Sequence, residues 1–203
     1  MLFYPLSALL AATALAAPVK RDVPVQNCVM VASGSLVGAG GQQFYLSDDK
    51  AGVTYAGDNS TSFLVEFQSC DPNFTKYPNS GDGPYAGHII VVSEQKCLEV
   101  PSYENYGSET YPLRLNDCYY SSDSGQFAFT FLKKGDDYYW KGDDYYWSGA
   151  TMSDGSLVQN GEQGCTDGLF GYKTGENNAF IDSGSVDVTC ASAANAKAFK
   201  IAP

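Results

Sequence analysis

KCLEVPSYENYGSETYPLRLNDCYYSSDSGQFAFTF, residues 96–131, sets three strand signals around two cysteines. Cys97 leads a short apolar run, Leu98 to Val100, and a second run ends in Asp117-Cys118. A loop bearing Gln126 then returns into the aromatic stretch Phe127 to Leu132. Leu98, Val100, Leu113, Leu115, Phe127 and Phe129 all suit a core, and Leu113 and Leu115 stand five and three residues before Cys118. That period of two places them on one face of a strand.

The same arrangement echoes on both sides. Cys118 and Cys190 are each followed, after eight residues, by Phe-x-apolar: Phe127-Ala128-Phe129 and Phe199-Lys200-Ile201. Cys70 is followed by a longer loop, Pro72 to Gly87, before Ile89-Ile90-Val91 takes that role. Val65 and Phe67 precede Cys70 by five and three residues, and Val186 and Val188 precede Cys190 by four and two. Elsewhere short apolar or aromatic runs (Cys28 to Ala32, Gln43 to Leu46, Phe63 to Phe67, His88 to Val92) are separated by Gly, Asn, Asp, Ser and Pro. Phe63, Val65 and Phe67 alternate with Leu64 and Glu66. One short stretch, Ala191 to Ala198, is compatible with a helix but rich in Ser and Asn. These signals predict an all-β chain of three uneven repeats, near 22–92, 93–132 and 133–203, as a single β-trefoil requires. A sandwich or another barrel is the alternative.

The ends and the composition narrow the function. Leu6 to Leu15 is an apolar run followed by the small-x-small pattern Ala14-Leu15-Ala16, and it is too short to span a bilayer core of about 30 Å as a helix. Lys20-Arg21 reads as a dibasic processing site of the kind found in fungal secretory proproteins. Residues 1–21 are therefore expected to be a signal peptide and pro-segment, although Met1 to Tyr4 carries no basic residue. The domain is then 22–203, extracellular and without a membrane anchor. The chain has 12 basic and 23 acidic residues, a formal charge of −11, and loss of Lys20 and Arg21 takes it to −13. Such a surface repels phosphate backbones, so nucleic acid is not an expected partner.

All six cysteines, Cys28, Cys70, Cys97, Cys118, Cys165 and Cys190, lie beyond residue 21, and an even count behind a signal peptide reads as disulfides. No Cys-x-x-Cys pair occurs and His88 is the one histidine, so neither zinc nor any other cofactor is expected. Asn59-Ser60-Thr61 and Asn73-Phe74-Thr75 are N-glycosylation sequons.

Segment 96–131 resembles one repeat of the ricin B-type lectins, a β-trefoil family. Their Cys-Leu-Asp-Val is matched by Cys97-Leu98-Glu99-Val100, and their Gln-x-Trp by the glutamine and aromatic of Gln126-Phe127-Ala128-Phe129. The resemblance implies a bridge between Cys97 and Cys118 and, by extension, between Cys165 and Cys190 and between Cys28 and Cys70. It implies non-catalytic binding of cell-wall or host glycans, with Glu99 accepting hydrogen bonds from sugar hydroxyls. The family's stacking aromatic falls on Asn116, so Tyr119 or Tyr120 would have to supply the platform. Gln126 keeps its residue type but not the tryptophan spacing, which leaves a degenerate sugar site as the rival reading.

Lys134-Gly135-Asp136-Asp137-Tyr138-Tyr139-Trp140 is repeated without change as Lys141 to Trp147 and holds both tryptophans. Aromatic faces and carboxylates suit a sugar, which makes Trp140 and Trp147 candidate accessory platforms. The other reading is a hairpin of two Tyr-Tyr-Trp strands turned at Lys141-Gly142-Asp143 with alternate rings buried. A structural or interaction protein could instead use 134–147 to hold a protein partner. His88 stands at the entrance of a core strand with no Gly-x-Ser-x-Gly elbow and reads as a structural or surface histidine rather than a catalytic one. The carboxylate pairs Asp48-Asp49, Asp136-Asp137 and Asp143-Asp144 keep a small glycosidase as the least favoured reading.

Overall fold

Alternation governs the longest strands. In β4 (Leu64–Asp71) Val65 and Phe67 are buried while Leu64, Glu66 and Gln68 face outward. The computed structural model describes residues 27–56, 63–71, 73, 77–101, 110–120, 124–141, 169–181, 183–191 and 193–203. Segment 1–21, Asn59, Trp147 and Cys165 lie outside these residues. Among those described, the chain is all-β with short 3-10 turns. The other strands are β1 (Asn27–Val37), β2 (Tyr45–Leu46), β3 (Val53–Thr54), β5 (Tyr85–Val91), β6 (Lys96–Glu99), β7 (Thr110–Pro112), β8 (Arg114–Asn116), β9 (Phe131–Lys134), β10 (Asp137–Lys141), β11 (Leu169–Lys173), β12 (Asp187–Cys190), β13 (Ala196–Lys197) and β14 (Lys200–Ala202). No helix among the described residues is long and apolar enough to cross a membrane.

Six of these strands form a closed cycle of antiparallel pairings. β1 pairs β4, β4 pairs β5, β5 pairs β9 and β9 pairs β10. β14 returns to β1, with Leu36 opposite Ile201. Reciprocal hydrogen bonds of 3.0 Å between Tyr138 and Phe199 close the cycle from β10 to the residue preceding β14. Strand pairs β2–β3, β6–β8 and β11–β12 stand outside it. They also meet one another: β7 pairs β12, and bridges join Gly52 to Arg114 and Thr54 to Ser185. Val53, Leu113 and Val186 are buried where they meet, with the Val186 N–H donating to Val53 (2.7 Å) and the Leu113 N–H to Val186 (3.0 Å). Each such side chain contributes about 1.5–3 kcal/mol relative to leaving it in water.

The core fills the space inside the cycle and under these strand pairs. Phe44 lies at its aromatic centre, with ring centroids 5.1 Å from Tyr172, 5.4 Å from Phe180 and 5.5 Å from Phe199. Val65, Phe67, Ile89, Leu98, Val188 and Phe131 pack into the same cluster. The spaced apolar residues before Cys70, Cys118 and Cys190 are all buried. Two of the expected bridges are present, Cys28–Cys70 and Cys97–Cys118, and Cys190 is also half of a disulfide.

Local structure departs from the sequence reading in four places. Phe127 to Leu132 is not one strand: Ser124–Phe129 forms a 3-10 turn, closed where the Thr130 hydroxyl donates to the Gln126 carbonyl at 2.8 Å. Among the described residues of Ala191 to Ala198 there is no helix. They make turns (Ala193 N–H to Cys190, 2.9 Å) that lead into β13 beside β11. Cys70 is not the counterpart of Cys118 and Cys190, because it lies on β4 within the cycle whereas they follow β8 and end β12. The matching offsets arise because any half-buried strand alternates with period two. Finally, the first heptad turns at Gly135 (φ +62°), which makes the tight β9–β10 connection, and β10 pairs β9 and β11. The expected turn at 141–143 lies outside the described residues beyond Lys141.

Candidate functional site

Pairing of β6 with β8 places Glu99 opposite Arg114 and Cys97 opposite Asn116 at the edge of the sheet. The Asn116 side-chain amide donates to the Glu99 carboxylate at 3.1 Å, and its oxygen accepts the Asp117 N–H at 2.8 Å. The Cys97–Cys118 bridge then ties the segment after β8 back to β6. Beneath it Ile90, Cys97, Ala128 and Phe129 form a small cluster of their own, against which Cys118 and Tyr119 pack. The Tyr119 ring stacks on Phe129 at 6.3 Å and 21°. Tyr120 therefore points elsewhere: it meets the His88 ring edge-on at 5.4 Å and remains 40 % exposed.

The anchored segment forms one wall of a cleft of about 370 Å³ whose other walls come from β4 and β5. Glu66 and Gln68 of β4, Ile90 of β5, and Val92 and Gln95 beyond it face Asp117, Cys118 and Tyr120. The Gln68 amide donates to Glu66 at 3.0 Å, and that of Gln95 donates to the Val92 carbonyl at 2.8 Å. Two carboxylates, two amides, two aliphatic side chains and a half-exposed tyrosine ring thus share one concavity. It can accept hydrogen bonds from hydroxyls, donate through amide N–H groups and stack on an apolar face.

The sequence-named residues are distributed unevenly about this cleft. Tyr120 lines it, and Glu99 adjoins it through Asn116 and Asp117. Tyr119 does not line the cleft; its partly buried ring stacks on Phe129 beneath the wall. Gln126 is 1 % exposed within the 3-10 turn, so sugar cannot reach it in this conformation. Trp140 is also 1 % exposed; its ring lies 4.8 Å from Phe170 and 5.6 Å from Tyr111, and Nε1 donates to the Phe127 carbonyl at 3.0 Å. A ring covered on both faces cannot stack on a sugar, and Trp140 is a core residue. Asn73 is 6 % exposed and its amide nitrogen donates to Tyr77 at 2.8 Å, so in the folded chain the acceptor atom of that sequon is engaged internally.

Glu66, Gln68, Gln95, Asp117 and the aliphatic pair were not singled out by sequence. The one available signal was the alternation in Phe63 to Phe67, which turns Glu66 outward. Of the paired carboxylates, Asp49 and Asp137 serve local structure, and Asp143 and Asp144 lie outside the described residues. Asp49 accepts from the Ser47 hydroxyl (2.6 Å) and the Ala51 N–H (3.1 Å), and Asp137 pairs with Lys200 at 2.6 Å. The hydrogen bonds from Ser47 and Ala51 hold Asp49 below the usual carboxylate range.

His88 sits behind the cleft on β5, 1 % exposed, with Nδ1 3.3 Å from Cys70 Sγ. Burial pulls its pKa down to about 4, against a smaller opposing pull from the Tyr119 backbone. The folded imidazole therefore stays neutral where the unfolded one, near 6.5, takes up a proton. Between those values the unfolded chain binds more protons, so this contribution is complete above pH 6.5 and is lost as pH falls towards 4, by up to about 3 kcal/mol. Urea unfolding from pH 7 to 4 should show this loss, and His88→Phe should flatten it. An identical slope in the variant would remove His88 as the source.

No protein-family model, curated protein or solved structure matches the chain.

Proposed function

We propose that the chain is a secreted, non-catalytic carbohydrate-binding protein built as a β-trefoil similar to the ricin B-type lectins, and that it holds a glycan in the cleft between β4, β5 and Asp117–Tyr120. The trefoil reading rests on the cycle in which β1, β5 and β10 alternate with β4, β9 and β14. It also rests on the three strand pairs that converge on Val53, Leu113 and Val186. On this reading the units are β1–β4, β5–β9 and β10–β14, so β5 opens the second unit rather than closing the first. Disulfides and the N-terminal apolar segment support an extracellular setting.

The observation that carries the ligand class is the lining of the cleft. It offers acceptors on Glu66 and Asp117, amides on Gln68 and Gln95, and the accessible ring of Tyr120. The resemblance implies a primary sugar site of Glu99, Tyr119, Tyr120 and Gln126, with the family's stacking aromatic falling on Asn116. Here Glu99 and Asn116 hydrogen-bond each other and Gln126 is buried, so the sugar is assigned to the adjoining cleft.

Glycan-array binding by the secreted, oxidised protein tests this reading. Tyr120→Ala is expected to weaken the strongest hit about five- to tenfold through loss of the stacking face, and Glu66→Gln to weaken it less. An array empty at high protein concentration would favour the alternative, a structural or interaction protein whose sugar site has degenerated.

A further inference from the structure

Three neighbouring strands bring Cys28 of β1, Cys70 of β4 and His88 of β5 together. Cys28 is the register partner of Cys70, and β4 sets Gln68 opposite His88. The two sulfurs and a ring nitrogen all lie within 4.8 Å of one another, and Nδ1 of His88 is 3.3 Å from Cys70 Sγ. Cys70 and His88 are buried, whereas Cys28, near the start of β1, is half-buried. With the cysteines 42 positions apart and the histidine 18 positions further on, no sequence spacing marks this group.

We propose that, once the Cys28–Cys70 disulfide is reduced, Cys28, Cys70 and His88 form a binding site for a borderline-soft divalent cation, Zn²⁺ being the natural occupant. The chemistry balances with a dithiol as reductant. It transfers two electrons and two protons to the disulfide, leaves as a cyclic disulfide, and gives two cysteine thiols. Zn²⁺ then replaces the two thiol protons, which pass to solvent, and takes the Nδ1 lone pair, with water completing four-fold coordination.

Distances and charge favour this. Tetrahedral Zn–S and Zn–N bonds of about 2.3 and 2.05 Å set nitrogen and sulfur about 3.6 Å apart and the two sulfurs about 3.8 Å apart. The first separation is nearly present between Nδ1 and Cys70 Sγ, and the second is ordinary contact between sulfurs no longer bonded. Two thiolates neutralise the dication, so no net charge enters a buried place. The metal would hold β1 to β4 and β5 when the covalent bridge is open.

Co²⁺ tests the site directly, because thiolate ligation in a tetrahedral field produces charge-transfer and visible d–d bands. The full chain, reduced with a dithiol and freed of it anaerobically, is expected to bind one equivalent with those bands and to release it to Zn²⁺. The oxidised chain should give none. His88→Phe and Cys28→Ser are each expected to weaken binding at least about tenfold, while the double variant Cys97→Ser/Cys118→Ser keeps the spectrum. The proposal fails if the reduced chain gives no bands, folded or not, if His88→Phe binds as tightly as wild type, or if the bands depend on Cys97 and Cys118 instead.

Discussion

Trp140→Ala is expected to destabilise the protein by about 3–5 kcal/mol, the range for removing a large aromatic side chain from a packed core. The ring fills the space between Tyr111 and Phe170, and its Nε1 satisfies the buried Phe127 carbonyl at the turn leading into β9. Alanine leaves a cavity and removes one of two donors to that carbonyl, the Thr130 N–H at 3.2 Å remaining, so the lost hydrogen bond adds only about 0.5–1.5 kcal/mol. Trp140→Phe restores most of the volume without the donor, so it should fall between wild type and alanine. Denaturant unfolding with the three proteins measures this order. If the alanine variant lost less than 1 kcal/mol, the ring would have to be a surface platform after all.

Removal of the Cys28–Cys70 bridge by Cys28→Ser/Cys70→Ser is expected to cost about 4 kcal/mol on the loop-entropy account, against about 3.4 kcal/mol for Cys97→Ser/Cys118→Ser. The difference follows from closing 42 residues rather than 21. The first bridge ties β1 to β4 at the end where β1 has passed beyond its pairing with β14, so those residues should exchange amide protons fastest in the variant. The second fixes the wall of the cleft. Its loss should therefore affect glycan binding more than its smaller stability effect suggests. Unfolding free energies and binding measured on both double variants separate the two roles. Equal binding losses would show that the wall does not depend on its tether.

How much of this was legible beforehand differs from element to element. The strand Phe63 to Cys70 announced its buried face through Phe63, Val65 and Phe67, and the apolar pairs before Cys118 and Cys190 are buried as their spacing implied. The pairings Cys28–Cys70 and Cys97–Cys118 followed from the family resemblance. The same regularity misled where Cys70 was matched to Cys118, because period-two burial recurs in every strand and does not identify a strand's place in the cycle. Composition alone could not separate the two roles of Trp140: an aromatic beside aspartates suits a sugar platform and a core strand end equally, and only pairing with β9 and β11 decides.

The cleft was the least readable feature. Its lining comes from β4, β5, the turn after β5 and the segment following β8, which the chain separates by up to about fifty positions. Each residue is ordinary in its own stretch, and their chemistry emerges only once Ile90 stands opposite Cys97 and the bridge to Cys118 folds Tyr120 over β5. Glu99 stood out because of its motif, yet its carboxylate is held by Asn116 and it does not line the cleft. His88 is buried behind the cleft, and its contact with Cys70 depends on strand register that no local signal encodes.

The most direct measurement is an amide-shift titration of the isotope-labelled, oxidised protein with the best glycan from the array. Perturbations gathered at Gln68, Ile90, Gln95 and Asp117 to Tyr120, and absent when Tyr120 is alanine, are the predicted result. Saturable binding whose perturbations lie away from this cleft, or no perturbation by any array glycan, would contradict the account.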